Sequence, residues 1–255
     1  MKFLTAVHTD VGLRKKTNQD SVLIMQADTG AGPVLLASVC DGMGGLAKGE
    51  VASAAMVCGL ANWFTSSLPA LLAGGFHAEQ LRLDWDALVQ ATARRISQYG
   101  ANIHVDMGTT AAVFLVVGSD YYIMNVGDSR VYALTDQLYQ LTKDQTYVQR
   151  EIDMGRMTPD QAATDPQRNV LLQCIGASPV VQPDFFTGKL APGQMYLLCC
   201  DGFRHVIQPQ EIYQAMNPAV LADEDSMHGA LVRLTELNKQ RREEDNISAI
   251  LIRTC

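Results

Sequence analysis

Five short segments of this 255-residue chain carry an aspartate within two residues of a glycine or asparagine: Asn18-Gln19-Asp20, Asp41-Gly42-Met43-Gly44-Gly45, Gly127-Asp128-Ser129-Arg130, Asp201-Gly202 and Asp245-Asn246. The apolar run 34–40 leads straight into Asp41, and the run 195–200 straight into Asp201. Asp20 and Asp245 stand where two further strands are expected to open. A carboxylate at the rim of a buried strand is held rigidly and stays near solvent. Several converging there repel one another unless cations neutralise them, and Mg²⁺ or Mn²⁺ take oxygen ligands of this kind. Two such ions about 3.5–4 Å apart would acidify a bridging water and yield a nucleophile at neutral pH. Asp-Gly is also a turn dipeptide, so on residue types alone a set of turns and a shared metal site both stay open.

The elements that must position these aspartates follow from apolar patterning. Strands are expected at 3–8, 21–25 and 34–40, the last nearly continuous in apolar residues and therefore buried on both faces. Helices follow at about 48–64 and 84–100, the second with Trp85, Leu88, Thr92, Ile96 and Tyr99 on one stripe. A meander covers 109–117, 121–126, 130–134 and 138–141. The polar segment 142–169 holds two short helices, with Thr142-x-x-Gln145 and Thr158-Pro159-x-Gln161 fitting capping boxes. The remainder alternates: strands at 180–186 and 195–200, helices at 210–216 and 226–239, and a strand at 247–253. The stretch 66–76 reads as a loop. Strands grouped together with helices before and after predict antiparallel sheets covered by helices.

Composition bounds the function. Lys and Arg number 20 against 27 Asp and Glu, a net charge of −7, which argues against a nucleic-acid partner. Hydrophobic residues make up 47%, enough for a sizeable core. No apolar run is expected to span a membrane and no signal peptide is expected, so a cytoplasmic chain is predicted. The cysteines lack C-x-x-C spacing and read as reduced and structural. No linker divides residues 1–255, which are expected to form one domain.

In order and approximate spacing, Asn18-Gln19-Asp20, Asp41-Gly42-Met43-Gly44-Gly45, Gly108-Thr109-Thr110, Gly127-Asp128-Ser129-Arg130, Asp201-Gly202 and Asp245-Asn246 resemble the metal-dependent serine/threonine phosphatases, the PPM or type-2C family. The resemblance implies an α+β fold, a four-layer α/β/β/α sandwich of two antiparallel sheets flanked by helices, with an Mn²⁺ or Mg²⁺ centre at one end. It implies that Asp41 bridges two ions, with the Gly42 carbonyl on one and Asp201 and Asp245 on the other. Asp20 would support the second ion, and Asp128 would share a third, weaker ion with Asp201. A metal-bound hydroxide would attack the phosphorus of phosphoserine or phosphothreonine, with segment 142–169 as a flap beside the site. A cognate Ser/Thr kinase and a monomeric state are expected by the same analogy.

Three departures stand out. Lys15, with Arg14 beside it, occupies the place of an arginine that grips the substrate phosphate; a lysine lacks the bidentate fork, so phosphate binding is expected to be weaker or shared with Arg14. Gln19 replaces a metal-binding glutamate of several relatives. Met43 replaces a histidine taken as general acid, and a thioether donates no proton. These departures motivate an alternative, a weakly active or inactive regulator that binds a phosphoprotein or kinase. Thr109 and Thr110 are expected to brace the first metal loop, Arg130 to pair with a carboxylate, and His205 to be a surface residue rather than a catalytic one.

Overall fold

Side-chain parity along one strand separates two hydrophobic layers. In the computed structural model, which describes residues 2–30, 32–43 and 48–255, β3 (Gly32–Cys40) sends Leu35, Ala37 and Val39 into one core and Val34, Leu36 and Cys40 into another. β6 (Ala111–Val117) does the same, with Ala112, Phe114 and Val116 opposed to Ala111, Val113 and Leu115. The expectation of a strand buried on both faces holds, and it forces a layer on each side.

Two antiparallel five-stranded sheets result. One runs in the order β1 (Phe3–Asp10), β12 (Ile247–Thr254), β11 (Met195–Cys199), β8 (Arg130–Leu134), β9 (Leu138–Gln140). The other runs β10 (Asp184–Lys189), β7 (Asp120–Val126), β6, β3, β2 (Ser21–Thr29). A short pair, β4 (Gly42–Met43) with β5 (Gly108–Thr109), stands at the end of the second sheet. The sheets face each other across the first core, where Leu35, Val39 and Phe114 share a cluster with Val131, Leu198 and Ile250. Helices α6 (Pro209–Met216) and α7 (Glu224–Gln240) add Ile212, Met216, Met227 and Leu231 to that cluster from the outer face of the first sheet. Helices α1 (Gly49–Ser66) and α3 (Ala78–Ile103) cover the second sheet with Met56, Leu60, Trp63, Trp85 and Val89. The α/β/β/α order implied by the resemblance is the observed one.

Several expectations need correction. The stretch 66–76 is not all loop: α2 (Leu68–Ala73) forms within it and buries Leu68. Tyr99 is exposed, and the buried stripe of α3 runs Leu81, Trp85, Val89, Thr92, Ile96, Gly100. Thr142 caps no helix, because its Oγ1 accepts from Val131 N and Gln145 Oε1 accepts from Gly127 N. Thr146 caps α4 (Tyr147–Asp153) instead, and the Thr158–Gln161 box does cap α5 (Pro159–Thr164). β10 begins at Asp184, just past Pro183, not at 180. Residues 49–73, contrary to expectation, are long and apolar enough to cross a membrane by length and composition, although α1 packs on α3 and β2. All six cysteines are free, with Cys58 exposed.

Trp85 is fully buried, edge-on to Trp63 with ring centroids 5.6 Å apart. Its Nε1 has no hydrogen-bond partner among the described residues. Urea denaturation should therefore find Trp85→Ala less stable by ~3–5 kcal/mol. Trp85→Phe should lose clearly less, because it also removes an unpaired buried donor.

Candidate functional site

Strand register brings the five acidic segments to one end of the sandwich. Ser21 pairs with Cys40, so Asp20 and Asp41 flank the same end of the β2–β3 ladder. Ala111 pairs with Val126, which puts Thr110 and Gly127 at that end too. The connection 127–129 then carries the chain from the second sheet to β8 in the first. There Arg130 pairs with Cys199, and Cys199 with Ala249. Asp201 leaves this end of β11, and Asp245-Asn246 enters β12 beside it.

Backbone contacts lock these loops together. Thr110 N and Thr109 Oγ1 both donate to Asp41 O, at 2.9 and 3.0 Å, and Asp41 N donates to Thr110 Oγ1 at 2.9 Å. The two threonines brace the loop as expected. Gly42 N donates to Gln19 O at 3.1 Å. A side chain at residue 42 would put its Cβ 2.3 Å from both Gln19 O and Gly49 O, so only glycine lets these three segments meet. The Asn246 side chain accepts from Gln19 N and donates to Val11 O and Thr17 O, which fastens the 11–19 loop over Asp245. Gly44 and Gly45 of the first motif lie outside the described residues.

The electrostatics record the convergence. Burial first, then the charges of Asp20, Asp201, Asp128 and Asp245, push the Asp41 carboxyl well above the usual carboxylate range. Asp20 is pushed up to about 7 by burial, with Asp201 and Asp245 adding to it. Ser248 and Cys200 lie near enough to ease this, yet both Asp20 oxygens and Asp201 Oδ1 are buried without a hydrogen-bond partner. Buried acceptors left in this way cost stability unless something positive satisfies them. That pattern, and a donor set made of oxygen, fits hard divalent cations. The cage is not preassembled: among the described residues no three His, Cys, Asp or Glu side chains are gathered closely enough to hold an ion as they stand. Cations of the chain hold the outer oxygens instead.

Lys15 Nζ stands 2.9 Å from Asp245 Oδ1, and despite partial burial Asp245, Asp41 and Asp201 keep its ammonium charged. Arg14 lies further out at the rim, paired with Glu244. Arg130 grips Asp144 through two bonds of 2.7 and 2.6 Å, the structural partnership expected of it. His205, set aside as a surface residue, belongs to the site: Nε2 is 3.3 Å from Asp201 Oδ2 and Nδ1 is 3.5 Å from Glu243 Oε2. Glu243 and Asp201 raise its pKa against the opposing effect of burial. Arg204 and Glu243 were also missed. The one available signal was their closeness in sequence to Asp201 and Asp245. These groups line a cleft of about 950 Å³, whose other wall comes from α4 and α5 through Val148 and Ala162.

Compared with known proteins, the chain matches the family described as protein phosphatase 2C over residues 12–251. The chain belongs to that family. The serine/threonine protein phosphatase PstP of Mycobacterium tuberculosis is 34% identical over 252 residues, covering 96% of this chain and 44% of the relative. The chain thus spans less than half of the length of that relative. The structure of the Streptococcus agalactiae serine/threonine phosphatase superposes with a TM-score of 0.85 at 28% identity, covering 100% of both chains. The catalytic domain of PstP in complex with two manganese ions has a TM-score of 0.77 at 30% identity, covering 98% of this chain and 97% of that one. Membership of the protein phosphatase 2C family accounts for the two-sheet sandwich and for the order of the acidic motifs along it.

The raised carboxyls make folding depend on pH. Asp20 binds its proton more tightly in the folded chain than at the ordinary value of 3.8. Its favourable contribution is full below about pH 4 and is lost as pH rises toward about 7. Denaturant unfolding in chelator should show Asp20→Asn matching wild type near pH 4 and exceeding it at about pH 8. A difference that does not change with pH would refute the electrostatic account.

Proposed function

We propose that this chain is a metal-dependent phosphoprotein phosphatase acting on phosphoserine and phosphothreonine through a pair of Mn²⁺ or Mg²⁺ ions. The observation that carries the proposal is the meeting of Asp20, Asp41, Asp201 and Asp245 at one end of the sandwich, with oxygens of Asp20 and Asp201 buried and unpartnered. The manganese complex of the PstP catalytic domain supports it by likeness. Asp41 with the Gly42 carbonyl would hold one ion, and Asp201 and Asp245 the other, with Asp20 in support. When bound, the ions would acidify a water and offset phosphoryl charge.

The remaining work falls to the chain. The ladder ends fix the carboxylates, and the threonine brace holds the Asp41 loop, so ion binding entails little backbone rearrangement. Lys15 shares Asp245 Oδ1 with any incoming cation. Loading that oxygen would displace the ammonium and leave it at the cleft, free to meet a phosphate as a point charge. Arg14, paired with Glu244 at the rim of the same cleft, would share the phosphate contact with Lys15. The wall formed by 142–169 would govern access. The setting proposed is the cytoplasm, as a monomer opposing a Ser/Thr kinase, by analogy with bacterial relatives. No observation favours the alternative of an inactive phosphoprotein-binding module.

Asp41→Asn and Asp201→Asn should each lower manganese-dependent hydrolysis of a phosphothreonine peptide by roughly 10²-fold or more, with an unchanged circular dichroism spectrum. Wild-type rates in both would overturn the assignment. Lys15→Ala should raise KM several-fold while kcat changes less, because it removes charge that holds the phosphate before and during reaction alike.

A further inference from the structure

The expectation of a third ion requires Asp128 and Asp201 to share it, and the side chains around them do not fit one. Arg204 Nη2 donates to Asp128 O at 2.9 Å and to Asp128 Oδ2 at 3.3 Å, and it stands 3.6 Å from Asp144 Oδ2. Its backbone is pinned where the chain leaves β11, since Arg204 N donates to Asp201 O at 2.9 Å. One oxygen of the other candidate ligand is engaged as well, Asp201 Oδ2 on His205, and its unpartnered Oδ1 belongs to the ligand set of the paired ions proposed above. Asp144 is gripped by Arg130, through Nη2 on the same Oδ2 that Arg204 approaches and Nε on Oδ1, and Arg130 Nη1 donates to Tyr132 OH at 2.8 Å. Two guanidinium groups and two carboxyl groups thus close on themselves as a quartet beside the cleft. Arg204 Nε is buried without an acceptor, so the quartet is short of acceptor oxygens rather than of cations. A divalent ion brought to Asp128 would face the Arg204 charge at contact range, on a wall of the cleft where both side chains are largely buried.

We infer that the Arg204 guanidinium is the resident counter-charge of Asp128 and stands in place of a third metal ion, so that the site is complete with two. The electrostatics agree: burial and Asp201 push the Asp128 carboxyl up to about 7, and Arg204 is the largest influence in the other direction. Loading Asp201 with the paired ions would relieve one of the three upward pushes, those of burial, Asp201 and Asp144, and leave the Asp128–Arg204 pair intact. The inference rests on the two-ion reading proposed above. Beyond it, the sequence position three residues after Asp201 becomes a determinant of metal stoichiometry.

Calorimetric titration of manganese into the metal-stripped full chain, with free Mn²⁺ followed by electron paramagnetic resonance, tests this without recourse to activity. Wild type should take up two equivalents. Asp128→Asn should take up the same two, with dissociation constants changed by no more than about threefold. Arg204→Gln should uncover a third site, at least ~10-fold weaker than the first two, that vanishes in the Arg204→Gln, Asp128→Asn double variant, whereas Arg204→Lys should remain at two. A third equivalent in wild type that Asp128→Asn removes would overturn the inference. So would an Arg204→Gln protein that is folded by circular dichroism and still binds only two. If Arg204→Gln fails to fold, the comparison of wild type with Asp128→Asn decides alone. Failure of wild type to bind manganese at all would overturn the two-ion reading beneath it, a different and recognisable result.

Discussion

Mutual repulsion among buried carboxylates is the constraint on which the end of this sandwich is built. Asp20, Asp41, Asp128, Asp201 and Asp245 come from five different connections, and no local preference would bring them together. The ladders do so: the register of Ser21 with Cys40 and of Cys199 with Ala249 fixes which residues emerge at the shared end. The apolar cores on both faces of β3 and β6 supply the stability against which this repulsion is tolerated. Such an arrangement is a common mark of functional sites, where local electrostatic strain persists because the surroundings over-determine it.

The chain relieves the strain unevenly. Outer oxygens find partners within the chain, Lys15 for Asp245, the His205 imidazole for Asp201 and Arg204 for Asp128. The inner oxygens of Asp20 and one of Asp201 find none. This division separates the charges that the protein settles by itself from those it leaves to a ligand. It also explains why the carboxylates are near one another in electrostatic terms before they are near enough to coordinate.

Much of this was legible in the residues. The continuous apolar run ending at Cys40 announced a doubly buried strand, and the aspartates at strand ends announced a rim site, because both signals are local in sequence. Thr109, Thr110 and Arg130 also took the roles their positions suggested. What escaped was decided by tertiary contact. Thr142 looked like a helix cap until Val131 N claimed its hydroxyl. The stretch around Pro69 and Gly74 has the composition of a loop, yet Leu68 is buried and one helical turn and a half forms around it. His205 and Arg204 lie in an irregular turn with no periodicity to read. Their importance comes from Glu243 and Asp128, which are remote in the chain.

The paired indoles described above lead to a further consequence. The chain has two tryptophans, and both sit in the helical layer over the second sheet, packed on each other. Ultraviolet emission from this protein is therefore a local reporter for α1, α3 and the face they cover. Loosening of α6, α7 or the first sheet would leave that light nearly unchanged, so a fluorescence melt would record the departure of one helical layer from the sheet beneath it and be almost blind to the opposite half of the sandwich.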